Sequence, residues 1–189
     1  MTDDRQDLVL THHASEAARP LLDALCEVYA DAYGVEPLAE KTSAFRGRAE
    51  RGLGYAGFEL VTAWAGGALV GFAFGYSIPE GNTRWWQGLQ PEPPAGFTVE
   101  TGTRTFILTE IEIRQSWQSQ GIGKRIHDEL LSGRLEERAT LATNPTAAKA
   151  QALYEAWGWE RIGQRPGMST DYFDAYDLFL RSLGKERPR

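Results

Sequence analysis

The chain has 189 residues, 20 of them basic and 26 acidic, which gives a net charge of −6, and it contains one cysteine, Cys26. This length suits one compact domain that needs no metal or disulfide, the acidic balance argues against binding nucleic acid through phosphate contacts, and a single cysteine excludes internal disulfides and cysteine-rich zinc sites. The acidic start lacks a signal-peptide apolar core, and no run approaches the ~20 apolar residues of a membrane span, so we expect a cytoplasmic domain that binds no metal, nucleic acid or membrane.

A strand and a helix are predicted first. Residues 8–10 form a short apolar run that is typical of a strand. From about residue 20 to residue 33, apolar residues recur at steps of three and four, which predicts a helix with one buried face. Pro20 suits the first turn of this helix, and Gly34 suits its end. Cys26 lies on the apolar face, so we expect a buried thiol without a catalytic role.

A second helix is predicted over residues 38–51. Phe45 and Ala49 are expected to face the core, because they lie four residues apart on one helix face. The arginines of this segment are expected on its solvated side: Arg46, Arg48 and Arg51.

The pair Gly66-Gly67 separates two apolar runs, 58–64 and 69–76. Two successive glycines suit a primed two-residue turn, because that turn needs a positive φ at both positions. The pattern therefore predicts a β-hairpin.

Residues 77–103 differ from the rest of the chain, because prolines, glycines and the pair Trp85-Trp86 interrupt any regular period. Loops of this length are uncommon in compact domains and often act as lids over a binding site. Trp85 and Trp86 are therefore candidate substrate-binding residues, with simple packing of the loop as the alternative.

Strands and helices alternate over the rest of the chain. Residues 105–113 are predicted to form a central strand, and residues 121–135 a helix that glycines open. Shorter elements follow, with a strand at 139–143, a helix at 146–157, and strands at 159–162 and 172–180.

The turn that leads into the glycine-opened helix has the features of an anion site. Amides at a helix N-terminus lack partners and lie at the positive end of the helix dipole, and glycines let a phosphate approach them. A Walker loop is excluded, because Gln118 stands where its first glycine belongs and Arg125 where it needs Ser or Thr. A dinucleotide-binding fingerprint is weak, because Ile126 replaces its third glycine.

Three segments together carry a family resemblance. Gln118-Ser-Gln-Gly-Ile-Gly123 resembles the Q/R-x-x-G-x-G/A motif of the GNAT acetyltransferases, and residues 152–159 resemble their A-L-Y-x-x-x-G-F segment, with Trp159 in place of Phe. The hairpin at 58–76 resembles the second and third strands of the family. The resemblance covers nearly the whole chain and implies an α/β (α+β) fold over residues 1–189. In that fold a mixed, mostly antiparallel twisted sheet of six to seven strands carries helices on both faces.

The resemblance also implies how acetyl-CoA binds. Tyr154 would protonate the departing thiolate, although a helical tyrosine in core packing is the alternative. The asparagine that many members place seven residues before this tyrosine would fall on Ala147, and Asn144 is the candidate coenzyme contact instead. The pantetheine arm would lie along Ile111, Glu112 and Ile113, and the pyrophosphate against Gln118, Ser119, Gln120, Gly121, Ile122, Gly123, Lys124 and Arg125.

A general base must also be found, because an amine attacks only when neutral and a lysine-like amine has a pKa of ~10.4. Glu110 and Glu112 alternate with apolar residues, so both project from one face of the strand. Two neighbouring carboxylates on a partly buried face raise each other's pKa. Glu110 is the favoured base, and Glu112 is the second choice. Either can instead hold the acceptor's ammonium group, and a merely solvated strand face is the alternative.

The sequence therefore predicts an N-acetyltransferase that moves an acetyl group from acetyl-CoA to a primary amine of a small molecule or peptide. The reaction would be a direct attack in a ternary complex, with a homodimer possible through exposed strand edges. Two alternatives remain open. One is a CoA-binding sensor or partner domain without turnover, and the other is a nucleotide-binding protein.

Overall fold

A computed structural model describes residues 7–168 and 171–184 of the chain. Strands and helices alternate along these residues, as the sequence predicts. The strands are β1 (Val9–His13), β2 (Glu59–Ala65), β3 (Ala68–Ser77), β4 (Thr105–Ile113), β5 (Arg138–Thr143), β6 (Glu160–Pro166) and β7 (Ala175–Ser182). The helices are α1 (Ser15–Ala18), α2 (Leu22–Tyr33), α3 (Glu40–Gly52), α4 (Ile122–Ser132) and α5 (Ala148–Ala156), with short 3₁₀ turns at Arg19–Leu21, Arg84–Trp86 and Gln115–Trp117.

The seven strands follow the order β1-β2-β3-β4-β5-β7-β6. Strand β4 pairs with β5 in parallel over Thr105–Ile107, whereas β1 with β2, β2 with β3, β5 with β7 and β6 with β7 are antiparallel. The prediction of a mixed, mostly antiparallel sheet with helices is thereby confirmed.

The chain divides into two compact units. The first unit comprises residues 1–76 and 108–134, and the second comprises residues 77–107 and 135–189. Strand β4 begins in the second unit and ends in the first. The single domain predicted over residues 1–189 stays a prediction.

The first unit buries side chains on both faces of its strands. Because neighbouring strand residues point to opposite faces, Phe72 and Phe74 of β3 share one face, where they pack on Phe45 of α3 at ring distances of 5.7 and 6.4 Å. On the other face, a Cβ at Gly71 would lie 2.5 Å from Ile113 and 3.1 Å from Ile126, so only glycine fits between β4 and α4. The even-numbered residues of β4 therefore face α2 and α3.

The local signals in the first unit are largely confirmed. Gly66 and Gly67 have φ values of 55° and 80° and form the predicted turn. Gly34 ends α2 with a φ of 62°. Helix α2 begins at Leu22 rather than at residue 20, because the segment around Pro20 forms a 3₁₀ turn.

In the second unit the predicted loop is anchored rather than open along its whole length. Trp86 is buried, and its Nε1 donates to Glu100 Oε1 at 2.9 Å. The same carboxylate oxygen accepts from Thr105 Oγ1 at 2.9 Å and from Arg138 Nη2 at 3.1 Å. The segment after β3 is therefore tied to the start of β4 and to β5.

The described residues contain neither a helix suited to a membrane nor a cluster of metal ligands. Over residues 7–168 and 171–184, no helix combines the length and apolar character that crossing a membrane requires. Over the same residues, no three His, Cys, Asp or Glu side chains are grouped as a metal site would need.

Candidate active site

The turn that precedes α4 has a backbone shape that exposes amides. Ser119 and Gly121 both adopt left-handed conformations, with φ values of 60° and 78°. Gly121 is the N-cap of α4, and a Cβ built on it meets no atom within 4 Å. Open space beside a left-handed glycine leaves room for a ligand against the main chain.

The first amides of α4 follow Gly121 directly. The first turn of any helix has N–H groups without intrahelical partners, and here they belong to Ile122, Gly123 and Lys124. The amide of Arg125 starts the helical ladder by donating to Gly121 O at 3.2 Å. Three consecutive donors at the positive end of the helix dipole suit a diphosphate.

Two glutamines hold the turn from outside. Gln118 Nε2 donates to Ile113 O at 3.0 Å, and Gln120 Nε2 donates to Ser116 O at 3.0 Å. Both amides thus brace the backbone. Their expected contacts with the pyrophosphate stay predictions.

Of the two basic residues of α4, Lys124 has a partner in its own helix. Its Nζ pairs with Asp128 one turn along, while Arg125 is exposed. Arg125 is therefore the side chain of this pair that is better placed to add a cation near the amides.

The predicted carboxylate pair lies on β4 and faces α2 and α3, with most of both side chains buried. Arg48 of α3 donates from Nε to Glu110 Oε1 at 2.7 Å, and 11% of the Glu110 side chain is exposed. Arg48 is more solvated than Phe45 and Ala49, as expected, with 34% of its side chain exposed, but its guanidinium turns toward β4. The buried charge of Glu110 draws the guanidinium inward, because an unpaired buried carboxylate is costly.

The two carboxylates differ in their partners. Burial, and then the neighbouring charge of Glu110, raise the pKa of Glu112 well above its ordinary value. Burial also raises the pKa of Glu110, but Arg48 opposes this effect. Glu110 is thus held as the anion of an ion pair. Glu112 is the carboxyl of the pair whose pKa is raised further.

Two tyrosines of α2 lie beside the carboxylate pair. The Tyr33 hydroxyl donates toward the Glu112 carboxyl, and Tyr29 interacts with Arg48. Burial raises the pKa of Tyr29 to about 12, and burial also raises the pKa of Tyr33. Both phenols are therefore neutral hydrogen-bond donors. Tyr33 nevertheless exposes 46% of its surface, so its ring lies between the carboxylate pair and solvent.

A lysine completes the cluster. Lys41 of α3 places Nζ 3.4 Å from the centroid of the Tyr33 ring. Burial lowers the pKa of Lys41, while the charges of Glu112 and Glu110 oppose this shift. The cluster therefore contains two carboxylates, two cations and two phenols.

Four residues of this cluster are not among the site residues predicted from the sequence. Lys41 and Arg48 share the face of α3 that carries Phe45, at spacings of four and three residues, and Tyr29 and Tyr33 lie four residues apart on α2. These spacings were visible in the sequence. The groups that these side chains face could not be predicted from those spacings.

The remaining predicted residues lie in the second unit. Tyr154 of α5 is half-buried among aromatic rings, with centroids 5.9 Å from Trp157, 6.2 Å from Trp159 and 6.4 Å from Phe179. Asn144 Oδ1 accepts from the Thr146 amide at 3.0 Å and shapes the turn before α5. The roles of Tyr154 as proton donor and of Asn144 as coenzyme contact stay predictions.

The two tryptophans of the loop have structural partners. Trp85 is half-buried and donates from Nε1 to Thr140 Oγ1 at 3.1 Å, and Trp86 is buried as described above. Trp85 keeps some exposed surface for a substrate. Substrate binding by either residue stays a prediction.

Known proteins resemble the chain in sequence and in fold. The sequence profile of the acetyltransferase (GNAT) family matches residues 21–159. The GCN5-like protein acetyltransferase Rv2170 of Mycobacterium tuberculosis is 33% identical over 103 residues, which are 50% of this chain and 49% of that protein. The chain thus matches about half the length of this relative.

Two solved structures share the fold at low identity. Aminoglycoside 6'-acetyltransferase type Ii superposes with a TM-score of 0.64 at 16% identity, covering 95% of this chain and 99% of that one. A GNAT family acetyltransferase from Elizabethkingia anophelis, solved with acetyl-CoA bound, gives a TM-score of 0.58 at 13% identity, covering 94% and 99%. At these identities the comparisons establish the fold.

Proposed function

Because the chain belongs to the acetyltransferase (GNAT) family, we propose that it transfers an acetyl group from acetyl-CoA to a primary amine of a small molecule or peptide. The proposal assigns a direct attack of the amine within a ternary complex. The observation that carries it is the open, left-handed start of α4, which follows the strand that bears the buried pair Glu110 and Glu112.

The residues before α4 fit the donor's pyrophosphate. The open space beside Gly121 admits a phosphate to the main chain, and the amides of Ile122, Gly123 and Lys124 donate to it. Acetyl-CoA, the donor that the family uses, supplies the activated acetyl group when bound. Arg125 adds a charge-assisted contact.

Glu112 is the proposed general base. A primary amine with a pKa of ~10.4 is mostly protonated at neutral pH and must lose a proton before or during attack. Glu110 is engaged by Arg48 at 2.7 Å, whereas burial and the charge of Glu110 raise the pKa of Glu112 and make that carboxylate the stronger proton acceptor. The structure thus favours Glu112 over the Glu110 that family resemblance prefers.

The first test is release of free CoA from acetyl-CoA in the presence of a panel of amines, joined to a direct measurement of acetyl-CoA binding. Gly121→Glu places a like charge against the phosphates. Because such charges repel by as much as ~4 kcal/mol near a protein surface, we expect acetyl-CoA to bind roughly 100-fold more weakly.

Gly96→Glu is the matched control, because Gly96 also has a positive φ, 80°, and open space at its Cβ position. Normal acetyl-CoA binding by a folded Gly121→Glu protein would refute the assignment of the α4 start. Binding without turnover on any amine would favour the CoA-binding sensor. Binding of ATP or NAD in place of CoA would favour the nucleotide-binding protein.

A further inference from the structure

We propose that Lys41 is an acetyl acceptor within its own chain, so that the protein acetylates itself at this lysine. This inference rests on the proposed function, because the acetyl group comes from acetyl-CoA.

Geometry places the Lys41 amine in the acid cluster. Its Nζ lies 3.4 Å from the centroid of the Tyr33 ring, and the hydroxyl of that ring donates toward Glu112. The face of a tyrosine ring and a carboxylate are the two groups that best recognise an alkylammonium ion. Lys41 therefore occupies, from inside the protein, the kind of place that an external acceptor amine would need.

The surroundings also favour the reactive form of the amine. Burial lowers the pKa of Lys41, which increases the neutral fraction at a given pH. The neighbouring charges of Glu112 and Glu110 work against this shift and the charge of Arg48 adds to it, while the face of the Tyr33 ring holds the amine. A lysine that is both held and partly desolvated meets the two requirements of a nucleophile.

The reaction balances with the groups named. The lone pair of neutral Nζ forms a bond to the carbonyl carbon of the thioester, and the carbon–sulfur bond breaks. The proton lost from Nζ passes to the Glu112 carboxylate and then to solvent, and the leaving thiolate takes a proton from solvent. The products are acetyl-Lys41 and free CoA.

Other lysines on the described surface lack this setting. Lys149 is exposed on α5, and Lys124 pairs with Asp128 within α4. Chemical acetylation by acetyl-CoA alone would label lysines according to exposure. Self-acetylation would instead single out Lys41.

The experiment incubates the full chain with acetyl-CoA and follows each lysine by peptide mass spectrometry. We expect one acetyl group on Lys41, added at least about 10²-fold faster than on Lys149, at a rate that does not depend on protein concentration. Lys41→Arg should abolish the fast label, Lys149→Arg should leave it unchanged, and Glu112→Gln should slow it by about 10²-fold.

Three results would overturn the inference: equal labelling of Lys41 and Lys149, the same Lys41 rate in urea-unfolded chain, or a rate proportional to protein concentration. Free CoA release on an external amine is measured in parallel. Turnover on that amine without a label on Lys41 would remove the inference alone, whereas failure to bind acetyl-CoA would remove the proposed function with it.

Discussion

Glu112 in the first unit is largely buried and Glu100 in the second is buried, but their neighbours differ. The comparison shows how the neighbours of a glutamate determine whether it suits a chemical or a structural role. One oxygen of Glu100 accepts from Trp86, Thr105 and Arg138 at 2.9 to 3.1 Å. Every one of these groups is a donor, and one is a cation, so the arrangement fixes the position of the carboxylate. Glu100 thereby anchors the segment between β3 and β4.

Glu112 has the opposite surroundings. Its nearest ionisable neighbour on the strand is another acid, Glu110. Of the two cations in the cluster, Arg48 bonds to Glu110, whereas Lys41 acts on Glu112 through its charge. A largely buried carboxyl that bonds directly to no cation has a raised pKa. Burial thus favours a structural anchor when a cation bonds to the acid and, as we propose for Glu112, a proton acceptor when none does.

The largest effect that the comparison predicts is on turnover. Glu112→Gln keeps the size of the side chain and an oxygen that can accept from the Tyr33 hydroxyl, but the amide cannot take up a proton. We therefore expect kcat/KM to fall by about 10²–10⁴-fold with acetyl-CoA affinity unchanged. The matched variant is Glu110→Gln, two residues away on the same face of β4. A larger loss in Glu110→Gln than in Glu112→Gln would assign the base to Glu110 and break the comparison.

The second effect is on stability. Glu100→Ala leaves the buried guanidinium of Arg138 without its carboxylate, which typically costs about 3–5 kcal/mol. In a chain of this size each kcal/mol shifts Tm by roughly 2–4 °C, so calorimetry should show a fall of roughly 6–20 °C. Glu92→Ala, an exposed position in the same loop, should shift Tm by less than about 2 °C. A similar small shift in Glu100→Ala would mean that the ion pair does not anchor the loop.

The smallest effect is a pH dependence of stability. A folded-state pKa above the unfolded value means that the stability linked to Glu112 is fully present below the ordinary glutamate pKa of ~4.3 and is lost as pH rises through the raised pKa. Glu112→Gln removes that loss. We therefore expect the Tm of the variant minus that of the wild type to grow by a few degrees as pH rises from 4 to 8, at about 2–4 °C per kcal/mol. A constant difference would show that the Glu112 pKa is not raised.

Local signals predicted much of the fold, because they depend on a few neighbouring residues. The Gly66-Gly67 turn follows from backbone conformation alone, and β4 is found at Thr105–Ile113 as expected. The alternation of acidic and apolar residues in β4 correctly placed Glu110 and Glu112 on one face. Period and conformation are properties that a short stretch of sequence contains in full.

The partners of the carboxylates could not be predicted in this way. Arg48 and Glu110 are separated by 62 positions, and no periodicity relates them. The helix pattern placed Arg48 on the solvated side of α3, where an arginine usually reaches solvent along its aliphatic stem. Only the packing of α3 on β4 decides that the guanidinium meets a buried acid. That pairing also separates the roles of the two glutamates.

The left-handed turn at Ser119 and Gly121 has a consequence for how the first unit would bind its two proposed substrates. The proposed donor contacts there come from main-chain amides, so they survive side-chain replacement as long as the turn keeps its shape. The proposed acceptor contacts come from the side chains of Tyr33 and Lys41 on two helices. An engineer can therefore redesign acceptor preference on α2 and α3 while leaving the acyl donor unchanged.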